Sequence, residues 1–128
     1  MAKITLTGNL FIQLAGESKP APLPLNLDID YTEKSVVDYA WTTAQTNLAL
    51  SQGTVTAPRF IFVEVTEGSV QLAPDPTTVD GHITLAANPT PASGDSPARM
   101  LFFTYAPEAT QWYVTTTEPT RAKIWFFE

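Results

Sequence analysis

Residues 23–31 alternate strictly: Leu23, Leu25, Leu27, Ile29 and Tyr31 fall on one parity, Pro24, Asn26, Asp28 and Asp30 on the other. Successive side chains of an extended strand point to opposite faces, so this period of two describes a strand with one dry and one wet face. Pro24 suits a strand at a sheet edge, where its missing N–H costs no ladder bond. The chain opens on the same pattern. Ile4, Leu6, Leu10, Ile12 and Leu14 oppose Lys3, Thr5, Thr7, Asn9 and Gln13, with Phe11 the exception and a bend expected at Gly8.

Short segments of strand character recur at 59–65, 69–73, 81–87, 99–105, 111–117 and 121–127, divided by turns that carry Gly or Pro. Glu67-Gly68 between the first two predicts a hairpin, and NPTPASGDSPA at 88–98 predicts an exposed loop. Residues 35–50 fit two patterns: Val37, Trp41, Ala44 and Leu48 match a helical stripe, whereas Val37, Tyr39 and Trp41 match a strand. β-Branched and aromatic content favours a strand over 36–42. The expectation is an all-β chain, a single domain over residues 1–128 forming an antiparallel β-sandwich, jelly-roll-like, of about eight strands, with an immunoglobulin-like sandwich as the alternative.

The 128 residues suffice for one core without crosslinks. Thirteen acidic residues outnumber seven dispersed basic ones, for a net charge of −6, so no basic patch is available to a nucleic-acid backbone. Cysteine is absent, which removes disulfides, zinc-thiolate sites and thiol nucleophiles. No apolar run approaches the roughly 20 residues of a membrane span, and MAKITLTGNLFIQLAG lacks the apolar block of a signal peptide. Synthesis in a cytoplasm is expected, with no membrane partner.

Catalytic sets are scarce. A three-histidine metal site is impossible with His82 as the single histidine, which reads as a solvated residue after the Asp80-Gly81 turn. Asp28 and Asp30 point the same way along one strand, as a calcium site would require, but solvating the outer face of an edge strand is the simpler role. Glu64 with Glu67, or Asp75 with Asp80, would be pairs for glycoside hydrolysis only if something fixed their separation. The isolated glycines form no phosphate loop. Neither an enzymatic function, nor a metal, nor a cofactor is expected. Trp41, Trp112, Tyr113 and Trp125 offer two readings, a platform for sugar rings or ordinary core.

Three segments are apolar on both parities. Phe60 and Phe62 oppose Ile61 and Val63; Met100 and Phe102 oppose Leu101 and Phe103; Ile124 and Phe126 oppose Trp125 and Phe127. Only one face of each strand meets the core of a sandwich, so the second faces need another cover, and large exposed apolar patches are rare in monomers. A protein interface is expected around Leu101, Phe103, Trp112, Tyr113, Trp125 and Phe127, with Phe102, Ile124 and Phe126 turned inward.

The texture of VVDYAWTTAQTNLALSQGTVTAPRFIFVEVTEGSVQL and ARMLFFTY, short strands alternating with Thr- and Asn-rich turns, resembles accessory structural proteins of tailed-bacteriophage virions. Jelly-roll head decoration or cement proteins are the subgroup it is most similar to. That resemblance implies adhesion to a capsid shell, location in the virion, and a homo-oligomer or the major capsid protein as partner. The alternative is a carbohydrate-binding module or a phage tail or fibre tip domain.

Overall fold

The computed structural model describes residues 2–12, 15–16, 18–19, 21–75, 83–104 and 109–128, and among these there is no helix. Among the described residues ten antiparallel strands form two compact units, Met1–Thr32 and Glu33–Glu128.

The first unit is a two-stranded ribbon of β1 (Ala2–Ile12) and β2 (Ala21–Tyr31). Its register is unbroken from Ala2↔Tyr31 to Ile12↔Ala21, so no β-bulge interrupts it at Gly8. Opposed residues share a face, which puts Ile4 beside Ile29, Leu6 beside Leu27 and Gly8 beside Leu25. Lys3 with Asp30, Thr5 with Asp28 and Thr7 with Asn26 make the other face, where the Thr5 hydroxyl donates to Asp28 Oδ1 at 2.8 Å. Both strands are present, but the face expected to be dry is not: Leu23, Leu25 and Leu27 are exposed, Gln13 and Leu14 lie outside the described residues, and the two strands pair with each other and join neither sheet of the sandwich.

The second unit is a β-sandwich. One sheet has the order β3 (Lys34–Trp41), β10 (Thr120–Phe127), β5 (Phe60–Glu67), β8 (Arg99–Thr104); the other has β4 (Gln45–Ala49), β9 (Tyr113–Thr116), β6 (Ser69–Ala73), β7 (Ile83–Ala86). Every connection except β6–β7 passes from one sheet to the other. Ile61, Val63 and Val65 of β5, Ala122, Ile124 and Phe126 of β10, Val70 and Leu72 of β6, and Trp112 and Val114 fill the space between the sheets. Each of these side chains larger than alanine contributes roughly 1.5–3 kcal/mol by leaving water.

Residues 35–50 resolve into two strands, and the helical stripe is not realised. β4 escaped detection because its pairing with β9 shifts between Gln45 and Leu48, where Asn47 takes a φ of 47°. Asparagine tolerates that conformation, and Thr115 Oγ1 holds it by accepting from Asn47 N at 3.1 Å. Nor is Glu67-Gly68 a hairpin turn, because β5 and β6 belong to different sheets. Gly68 (φ 71°) is the corner between them, lying so close to the Pro119 carbonyl and the Thr120 hydroxyl that no Cβ fits. Thr120 ties the corner by accepting from Ser69 N at 3.3 Å and donating to Ser69 O at 3.2 Å.

Candidate functional site

β10, β5 and β8 are consecutive in one sheet, so the second faces of the three doubly apolar segments merge into a single surface. Cross-strand register sets Val36, Trp125, Phe62 and Phe102 side by side across all four strands. Trp125 meets Phe62 edge-on with ring centroids 4.9 Å apart, and Phe62 meets Phe102 at 6.5 Å. Phe60 extends the row by stacking on Phe102 at 6.2 Å. These aromatics are half-buried, and Val36 is exposed.

One residue-pair along the strands, the apolar row gives way to charge. Asp38, Lys123 and Glu64 stand opposite one another, followed by the exposed Met100. The Lys123 ammonium lies 5.1 Å from the Trp125 ring centroid, where the electron-rich face attracts it. An aromatic centre bordered by alternating charges has the composition of an interface core with a polar rim.

The residues expected at an interface divide. Trp125 faces outward, and Ile124 and Phe126 inward, as anticipated. The parity of β8 is reversed: Ile61↔Phe103 and Val63↔Leu101 place Phe103 and Leu101 with the inner set, and Phe102 turns outward. Phe103 packs edge-on against Trp112 at 5.5 Å. Trp112 is fully buried in the core, Phe127 is buried, and Tyr113 is half-buried on the opposite sheet. Phe60, Phe62 and Val36 were missed as members of the surface; the available signal was the apolar content of both parities at 60–63.

The four aromatics considered for a sugar platform do not share a surface. Trp41 stacks on Tyr39 at 4.9 Å against the core, and Trp112 lies within it. Asp28 and Asp30 occupy the polar face of the ribbon, and among the described residues no three His, Cys, Asp or Glu side chains gather as metal ligands would. His82 and Asp80 lie outside the described residues. An open cleft of about 420 Å³ beside the loop 88–98 is lined by Thr66, Glu67, Ala87, Pro89, Pro97 and Arg99. That loop is exposed, as predicted, and its ends are drawn together by Asn88 N donating to Pro97 O at 2.8 Å.

At the end of the sandwich, Gln52 is buried and links two loops. Its amide donates to Thr110 O at 3.2 Å, and its Oε1 accepts from Trp112 N at 2.7 Å. Nearby, the Glu128 carboxylate accepts from Thr56 N at 2.8 Å and Ala57 N at 3.4 Å. Those backbone donors, above all Thr56 N, the Thr56 hydroxyl and the charge of Arg59 hold it below the usual carboxylate range despite partial desolvation. Burial pushes the Tyr39 phenol up to about 12, with its hydroxyl donating to Ser51 O at 2.7 Å.

No protein-family model, curated protein or solved structure matches the chain.

Proposed function

We propose that this protein is a structural virion subunit of the head decoration or cement kind, which stabilises a shell by protein–protein contacts and performs no catalysis. The observation that carries this reading is the continuous aromatic row Trp125, Phe62, Phe102 and Phe60 on the outer face of one sheet. Left in water, such a row opposes solubility; covered by a neighbouring protein, it supplies the anchors of an interface. Its neighbours in this reading are further copies of the chain, the major capsid protein, or both.

The strand order supports the jelly-roll form of the sandwich. Counted from β3 as strand one, the pairings are first with eighth, second with seventh, third with sixth and fourth with fifth, which is one long hairpin rolled up on itself. The sugar-binding alternative has less support, since its aromatics are dispersed between the core and separate surfaces.

On this reading the genome that encodes the chain also encodes a major capsid protein, and cosedimentation with shells assembled from that protein tests the proposal. Wild-type protein should pellet with the shells. Phe62→Asp should remain folded by circular dichroism yet bind at least about a hundredfold more weakly, because a buried unpaired carboxylate costs about 3–5 kcal/mol. Wild-type protein that stays in the supernatant refutes the virion role.

A further inference from the structure

β3 is an edge strand, and among the described residues only β10 pairs with it. Glu33 and Glu128 exchange both backbone bonds, Glu128 N donating to Glu33 O at 2.9 Å and Glu33 N to Glu128 O at 3.4 Å. In an antiparallel ladder such exchanging pairs alternate with pairs whose groups point the other way. From Glu33 onward, Ser35, Val37 and Tyr39 therefore turn their N–H and C=O groups to β10, and Lys34, Val36, Asp38 and Ala40 turn theirs to the open side. We infer that this edge pairs with the same edge of a second copy of the chain, antiparallel about a two-fold axis at Val36, joining two four-stranded sheets into one of eight.

Sheet edges are ordinarily blunted by short strands, bulges, proline or charge. The opposite sheet follows that rule: β4 is irregular between Gln45 and Leu48, and β7 has four residues. β8 carries a single charge, Arg99, and so offers itself no ion pair. β3 instead runs eight residues in unbroken register without Pro or Gly, with Val36-Val37 near its middle.

Backbone parity and charge together select both the occupant and the register. Only the outward set can exchange bonds across the new seam, which leaves three registers that keep most of the strand paired. Asp38 against Asp38 sets like charges directly opposite each other, which is destabilising. Val36 against Asp38 leaves that carboxylate facing an apolar side chain and Lys34 facing Ala40. Val36 against Val36 places Lys34 opposite Asp38 on both sides of the axis, so the edge is complementary in charge to itself. The rows of the outer face then meet in kind. Glu64, Lys123 and Asp38 alternate in sign toward the edge, and Lys34 of the second copy continues the alternation. The pairing uses the edge of the sheet and leaves its aromatic face open, so it goes beyond the shell reading and stands apart from it.

A seam of one strand is small for a specific interface, so the dimer is reversible and must be read across concentration. Sedimentation equilibrium on the purified chain, without shells, from about 10 μM to about 1 mM tests the pairing. Wild type should pass from monomer to dimer over that range. Val36→Pro removes an outward N–H and no bond to β10, so it should fold and stay monomeric. Lys34→Asp and Asp38→Lys should each stay monomeric, and an equimolar mixture of the two should recover the dimer, since each supplies the charges the other lacks. The chain has no cysteine, and exchanging pairs lie about 5.5 Å apart at Cα, within disulfide reach. Val36→Cys should therefore crosslink to itself on oxidation, and Asp38→Cys should not. Phe62→Asp should dimerise like wild type. A wild type still monomeric at about 1 mM, a Val36→Pro protein that dimerises, a mixture no more associated than its parts, or crosslinking through Asp38→Cys instead of Val36→Cys overturns the pairing. So does a monomeric Phe62→Asp, which would assign association to the aromatic face. If wild type is monomeric yet pellets with shells, the pairing is wrong and the virion role survives; if it dimerises through β3 but ignores shells, the reverse holds.

Discussion

Gly68→Ala should be among the most damaging single-methyl changes in the sandwich. Two costs combine at this corner. A left-handed φ of 71° is open to glycine but costs alanine about 1–2 kcal/mol. The new methyl would also collide with the Pro119 carbonyl and the Thr120 hydroxyl. Pro119 offers a backbone atom, and Thr120 is held by its bonds to Ser69 and Glu118, so neither can yield cheaply. Overpacking of that kind costs about 1–3 kcal/mol. A total near 3 kcal/mol lowers the melting temperature of a domain this size by roughly 12–24 °C. Gly94→Ala is the matched control: its φ is 88°, but nothing lies within 4 Å of the added methyl, so only the conformational cost of about 1 kcal/mol applies. Thermal melts followed by circular dichroism compare the two. Equal losses refute the steric account of the corner.

Replacing Gln52 with Leu should cost about 1–3 kcal/mol in urea unfolding, because the buried Trp112 N loses its side-chain partner, while Thr110, exposed, can turn its carbonyl to water. A loss below about 1 kcal/mol would show that the two loops close without it. Tyr39 binds its proton more tightly folded than unfolded, so its contribution is intact below pH 10 and fades as pH rises toward about 12; Tyr39→Phe should flatten that alkaline decline in melting temperature. Glu128 has the opposite sign. Its contribution holds above the usual carboxylate range and is lost as acid protonates it, so Glu128→Gln should make stability less dependent on pH in mild acid.

Alternation of polar and apolar residues was enough to read β1 and β2, while β5 and β10 were legible from their β-branched and aromatic content between turn residues. It failed where alternation carries no parity. RMLFFT is apolar on both sides, and only its pairing with β5, Phe103 against Ile61, decides that Phe103 enters the core. β4 was obscured by the irregularity at Asn47, which breaks the period over a five-residue strand. The surface itself was half legible. Its ingredients are visible in three segments, but their adjacency depends on strand order, and strand order is a property of pairings between distant residues.

The same strand order governs when the sandwich can exist at all during synthesis. β10 lies between β3 and β5, paired at Ile124 to both Val37 and Val63. Until residues 120–127 emerge from the ribosome, one sheet has a gap in its middle and β3 has no neighbour. Earlier strands can at most assemble the β5–β8 pair and the opposite sheet, leaving Ile61 and Val63 without their lateral neighbours Phe126 and Ile124. Closure of such distant pairs places folding in the millisecond-to-second range typical of all-β domains. A chain interrupted before residue 120 therefore leaves the edges of β3 and β5 unpaired, the kind of exposed strand edge that templates aggregation.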